Sequence, residues 1–130
     1  MVKMLVSNLI LSLFLGAIAA AKYIIPGARW IDTDGNLVNT HAGGVTVDKS
    51  TSKFWWFGEY KIQGQVEGGG VSVYSSDDLA TWTHHDLALA PVQGHPYISP
   101  SNIIQRPKVV YSESSKEYHV IAVSFPIFQL

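Results

Sequence analysis

The sequence predicts an all-β fold of short strands joined by tight turns, and three features carry that expectation. From Lys22 onward, apolar and aromatic runs a few residues long alternate with clusters of Gly, Ser, Asp and Pro. No stretch there keeps a 3.6-residue apolar period long enough for a helix. The third feature is a gap-free internal match: Val45-Thr46-Val47-Asp48-Lys49-Ser50-Thr51-Ser52-Lys53-Phe54 aligns with Val109-Val110-Tyr111-Ser112-Glu113-Ser114-Ser115-Lys116-Glu117-Tyr118. Each copy enters a Ser-rich turn from a β-branched strand and leaves it through an aromatic residue.

Read in order, the N-terminus has three parts. Lys3 supplies a positive start, residues 5–18 an apolar run and residues 17–21 a small-residue end, with Ala19 and Ala21 fitting the A-x-A pattern. Residues 1–21 are therefore expected to be a secretory signal peptide, cleaved before Lys22 and leaving a secreted, extracellular chain. The alternative is an uncleaved anchor helix, for which the apolar run falls short of the ~20 residues that a span needs. Beyond it, Asp34-Gly35 between residues 28–31 and 37–38 signals a hairpin, because glycine readily takes positive φ. Residues 44–47 and 54–57 read as a strand pair around the polar segment 48–53. Residues 70–74 and 81–85 read as the outer strands of one four-stranded sheet.

The repeat offset is about 64 residues, a little above the ~40 to 50 of common propeller blades, and each such blade is a four-stranded sheet arranged radially. At that period the chain after the signal peptide holds one blade and the first hairpin of the next. Repeat folds need about three units to bury a continuous core, so a partial structure of this kind leaves edges and aromatic faces open to another chain.

Composition narrows the function. The 130 residues carry a formal charge of −1 with no Lys or Arg cluster, which gives no footprint for nucleic acid or an acidic membrane. There is no cysteine, so packing alone must hold the fold. His84 and His85 are adjacent on a predicted strand and point to opposite faces, a poor metal pair, and no metal or cofactor is expected.

Several motifs, in order, resemble one family. Gly27-Ala28-Arg29-Trp30-Ile31-Asp32-Thr33-Asp34-Gly35, His41-Ala42-Gly43-Gly44 and Trp55-Trp56-Phe57-Gly58-Glu59-Tyr60-Lys61 are similar to the opening of the galactan 1,3-β-galactosidase branch of glycoside hydrolase family 43. The similarity continues through Val73-Tyr74-Ser75-Ser76-Asp77-Asp78-Leu79-Ala80-Thr81-Trp82 and Gln105-Arg106-Pro107-Lys108-Val109-Val110-Tyr111. It implies a five-bladed β-propeller, here its first one to two blades over residues 22–122, with 123–130 a divergent tail in which Pro126 interrupts a strand.

The resemblance also implies an inverting enzyme that removes galactose from β-1,3-galactan, using two groups ~6.5 to 9.5 Å apart to leave room for water. The family's general acid falls later than Leu130, so no catalytic residue is assigned and the chain alone is expected to be inactive. Substrate contact is implied for Glu59, which closes a strand after Gly58, and for Gln105, where the family usually shows glutamate. An amide there keeps an acceptor but loses charge-assisted strength. His41 precedes the small residues Ala42, Gly43 and Gly44, which permit close strand approach to a pocket.

Trp56 and Trp55 face opposite ways; core packing is the leading expectation for each, and Trp56 is kept as a candidate sugar platform because an aromatic face suits the apolar face of galactose. The alternative for Glu59 is pairing with Arg106 or Lys108, whose own expected work is holding carboxylates or covering a strand edge. In 75–82, Ser and Asp side chains are expected to bond backbone N–H groups while Leu79 and Trp82 pack inward. The expected partner is a galactose-containing polysaccharide or oligosaccharide. A different class of function is a small secreted carbohydrate-binding or interaction protein derived from such an enzyme.

Overall fold

A computed structural model describes residues 23–65 and 68–126. The predicted signal peptide lies outside the described residues, as do 127–130 of the predicted tail. Every described element is a strand, in two antiparallel sheets. The first holds β1 (His41–Val47), β2 (Phe54–Glu59), β3 (Val71–Ser76) and β4 (Thr83–Leu89) in sequence order, the meander expected of a propeller blade. The second pairs β5 (Asn102–Ser112) with β6 (Glu117–Pro126), and β5 packs against β1 and β2.

Alternation along β2 organises the molecule. Trp55, Phe57 and Glu59 point to one face, Phe54, Trp56 and Gly58 to the other. On the second face Trp56 meets Trp30 edge-on at 5.2 Å and Trp82 at 5.1 Å, and Trp30 stacks on Trp82 at 6.5 Å. Trp82 is buried and its indole N–H donates to the Leu79 carbonyl at 3.1 Å. The first face looks toward the β5–β6 hairpin, where Trp55, Phe57 and Tyr118 border a cleft of about 320 Å³. His84 and His85 part as expected, His84 against Tyr74 (4.7 Å) and His85 against Trp55 (5.2 Å).

The internal repeat is a repeat of backbone geometry. In the first copy the Asp48 carbonyl accepts the Ser52 N–H at 2.7 Å, and in the second the Ser112 carbonyl accepts the Lys116 N–H at 2.8 Å. Ser52 (φ 60°) and Lys116 (φ 58°) occupy matching left-handed positions, and the pairs Val47 with Phe54 and Tyr111 with Tyr118 close the two hairpins alike. The turn at 76–82 also forms as expected. Asp78 Oδ1 accepts the N–H groups of Ala80 (2.9 Å) and Thr81 (2.7 Å), and Ser76 Oγ those of Asp78 (3.1 Å) and Leu79 (2.8 Å).

Two expectations need adjustment. Residues 28–31 and 37–38 do not form strands: a single bridge joins Ile31 to Leu37. Between them the Asp32 carbonyl accepts the Gly35 N–H, Gly35 sits at φ 85° and Asp32 N–H donates to Asn36, which is a three-residue loop with a bulge rather than a two-residue turn. Buried Asp32 fixes that loop by accepting from the N–H groups of Asp34 (3.0 Å) and Asn36 (2.8 Å). Gly58 serves close approach instead of a turn, since a Cβ there would fall 2.3 Å from Thr40 Oγ1. The last strand, β6, pairs Val123 with Gln105 and ends at Pro126, the residue expected to interrupt a strand.

Two outcomes follow from this geometry. A Cβ on Gly43 would lie 1.6 Å from the Phe57 carbonyl oxygen, whereas one on Gly44 would meet only the Lys108 stem at 3.5 Å. Gly43→Ala is therefore expected to lower unfolding free energy by about 3 kcal/mol and Gly44→Ala by under about 1 kcal/mol, read as midpoints of urea denaturation.

The second concerns Asp48, whose carboxyl is held below the ordinary aspartate value of 3.8 by the Ser50 hydroxyl, then the Ser50 N–H and the Thr51 hydroxyl. Its stabilisation is thus present above 3.8 and lost as pH falls through the lowered value. Ser50→Ala should raise the Asp48 midpoint in a carboxyl-carbon NMR titration.

Candidate functional site

Of the residues singled out by the sequence, Glu59, His41 and Gln105 lie on strands that meet at the end of β2. Glu59 stands opposite His41 on β1 and Val71 on β3, and it is 5% exposed. Its Oε1 accepts the main-chain N–H of Arg106 at 2.9 Å, and its Oε2 pairs with Lys61 Nζ at 2.5 Å. Lys61 is itself held by Asn39, whose side chain donates to the Lys61 carbonyl (2.8 Å) and accepts its N–H (2.9 Å). The partners of Glu59 are thus Lys61 and a backbone group, not the Arg106 or Lys108 side chains.

The Arg106 N–H matters because of where it lies. Pairing of β5 with β6 slips between Gln105 and Lys108, and Arg106 takes φ 52°, a conformation that costs a non-glycine residue roughly 1–2 kcal/mol. Such bulges re-aim side chains. Pro107, fully buried within the bulge, has no N–H to lose from the ladder. A buried carboxylate on the Arg106 N–H offsets the strain and fixes where Gln105 and Arg106 point. Lys108 then reaches back over β1, donating to the carbonyls of Ala42 (3.2 Å) and Gly43 (2.5 Å), the edge-covering work expected of it.

Gln105 is half-buried and its amide makes no hydrogen bond among the described residues, while His41 is exposed at the start of β1. Glu59, His41 and the main chain at Gln105–Arg106 thus lie where β1, β2 and β5 meet. Trp56 does not join them: it lies on the opposite face of β2, inside the Trp30–Trp82 cluster, because residues three apart on a strand face opposite ways. Among the described residues no cluster of His, Asp or Glu is arranged to hold a metal ion.

Two members of the site escaped the sequence reading. Lys61 follows Glu59 by two positions, the spacing that keeps side chains on one side of an extended chain, so its pairing was open to inference. Asn39 reaches Lys61 across 22 positions of sequence, and nothing local signals that. Nearby, Thr40 Oγ1 is buried with no partner among the described residues.

A four-stranded meander packed face to hairpin against a matching unit, with a buried carboxylate where the inner strands meet, defines the class: a β-propeller, present in part. No protein-family model and no curated protein sequence matches the chain. Solved structures do. The chain is 38% identical to an exo-β-1,3-galactanase from Phanerochaete chrysosporium solved with galactose, with a TM-score of 0.73 over 79% of this chain and 23% of that one. It is 36% identical to a family 43 β-1,3-galactosidase solved with galactodeoxynojirimycin (TM-score 0.71; 79% and 30% covered).

An exo-β-1,3-galactanase from Clostridium thermocellum is 32% identical (TM-score 0.64; 75% and 20% covered). The chain belongs to glycoside hydrolase family 43, in the branch of the exo-β-1,3-galactanases and β-1,3-galactosidases. It spans about a quarter of the length of the fungal enzyme.

The Glu59 contacts generate a graded expectation. Glu59→Ala leaves the Arg106 N–H without its charged acceptor, worth about 1.5–3 kcal/mol, while the half-exposed Lys61 pair adds under about 1 kcal/mol. Glu59→Gln keeps an acceptor and should cost about 1 kcal/mol. Urea denaturation of the two variants beside the parent chain measures the difference.

Proposed function

We propose that this chain supplies one wall of a galactose-binding pocket in a secreted, exo-acting β-1,3-galactosidase of inverting mechanism. The observation that carries the reading is the buried Glu59 carboxylate fixing the Gln105–Arg106 bulge where β1, β2 and β5 converge. A carboxylate has about four acceptor sites, and Glu59 uses one on Arg106 and one on Lys61, which leaves capacity for sugar hydroxyls. Gln105 and His41 add a neutral amide and an imidazole to the same region. The solved relatives bound to galactose and to β-1,3-galactotriose point to the same sugar class.

Hydrolysis needs more than this wall. Inversion takes two carboxyl groups ~6.5 to 9.5 Å apart, and β1, β2 and β5 contain one carboxylate, Glu59, already engaged by two donors. In this reading Glu59 positions and binds, and the acid and the water-orienting group belong to further blades. Residues 1–21 direct export, which N-terminal sequencing of the secreted product tests: it should begin at Lys22.

Activity is tested in two arms. The chain alone should release no galactose from β-1,3-galactan. Residues 23–126 grafted in place of the matching segment of the Phanerochaete galactanase should restore release, and Glu59→Ala in that graft should cut kcat/KM roughly 100-fold through the misplaced bulge. Turnover by the chain alone, or a graft indifferent to Glu59→Ala, contradicts the reading.

A further inference from the structure

The two copies of the internal repeat share their turn geometry but differ where the hairpins close. In the first copy the closing pair is Val47 with Phe54, and in the second it is Tyr111 with Tyr118. Val and Phe therefore suffice to build such a hairpin, and packing alone does not call for the two phenol hydroxyls of the second copy. The tyrosine rings lie 5.0 Å apart, tilted by 54°, and are 40% and 45% exposed.

They border a second cleft, of about 520 Å³, between the two turns, with Asp48 and Lys49 from the first turn and Glu113 and Lys116 from the second. Small-molecule sites usually measure about 300–1,000 Å³. Both walls are complete hairpins, β1–β2 and β5–β6, each with its two strands and its turn among the described residues. The cleft lies at the other end of β1 from His41, the residue opposite Glu59, and so roughly 20 Å from it along the strand. It is a different place from the region around Glu59.

We infer that this cleft is a second carbohydrate site, which holds a neutral oligosaccharide without cleaving it. Asp48 accepts from the Ser50 N–H (2.9 Å) and from the hydroxyls of Ser50 (2.7 Å) and Thr51 (2.8 Å), which leaves about one of a carboxylate's roughly four acceptor positions open. Tyr118 Oη lies 3.5 Å from Asp48 Oδ1, beyond the roughly 2.5–3.0 Å of an O–H···O bond, so its proton is available to a ligand. Lys116 is paired with Glu113 at 3.0 Å, and the two cations and two carboxylates of the rim sum to no net charge, so an ionic ligand gains little there. A sugar uses what the cleft offers: its C–H face lies on a tyrosine ring, and its hydroxyls donate to Asp48 and accept from Tyr118. That the sugar is a β-1,3-galactan segment rests on the function proposed above; the site itself does not.

The test is a titration of the full chain followed by backbone amide NMR, with β-1,3-galactotriose, xylotriose and inorganic sulfate as separate probes. Saturable shifts at Lys49, Tyr111, Lys116 and Tyr118 are expected with galactotriose and none with sulfate. The first copy of the repeat supplies variants that keep the hairpin: Tyr118→Phe should weaken binding at the turns about fivefold and Tyr111→Val about tenfold, with the other amides unmoved. Turn shifts support the site whether or not His41 and Gln105 also respond, and equal turn shifts with xylotriose keep the site while overturning its galactan assignment. Shifts confined to His41 and Gln105 overturn this site and leave the function proposed for Glu59 standing. Absence of turn shifts with either sugar, a sulfate response equal to that of the sugars, or binding indifferent to both variants likewise overturns the inference.

Discussion

The carboxylate of Glu59 ties the first sheet to the second. It leaves the end of β2, is removed from water, and meets the Arg106 main chain on β5, 47 positions further along the sequence. A buried charge is costly unless donors surround it, and here one donor comes from each side: Lys61 from its own strand end and the Arg106 N–H from the facing hairpin. The positive φ of Arg106 holds because that acceptor is in place. The direction of Gln105, the buried seat of Pro107 and the reach of Lys108 back to β1 all follow from the same bulge.

Around this link the two faces of β2 do different work. The face of Trp56 closes with Trp30 and Trp82 into an aromatic cluster that makes the first sheet a packing unit. The face of Trp55, Phe57 and Glu59 is directed at the next sheet. Gly43 and Gly58 let the strands and the Thr40 segment approach closely enough for Glu59 to reach across, because neither position has room for a Cβ. The radial logic of a propeller is visible in this pair of sheets: each contributes an inner strand to a shared region, and that region carries the polar side chains.

How much of this the sequence made legible depended on the range of the interactions involved. The Ser-rich turns were readable as a repeat because their hydrogen bonds close within five residues, and Ser52 and Lys116 fall at matching positions of both copies. The turn at 76–82 was readable for the same reason. The pairing of β1 with β2 and the order of the four strands also followed from alternation, although β1 begins three residues earlier and β2 ends two residues later than alternation alone indicated. What the residues did not disclose was long-range or backbone-specific. Arg106 in a left-handed conformation has no signature in side-chain type, Asn39 clamps Lys61 from a distant segment, and the choice between the two faces for Trp56 was settled by where Trp30 returns.

The link between the two sheets rests on the Arg106 N–H being sequestered by Glu59, and amide hydrogen exchange reads that group directly. The prediction is that the Arg106 amide exchanges as slowly as the ladder amides of β5 on either side of it, and that Glu59→Ala speeds Arg106 alone while β5 and β6 stay protected. An Arg106 amide that exchanges at the rate of an open loop in the parent chain, with its strand neighbours protected, would contradict the link between the two sheets.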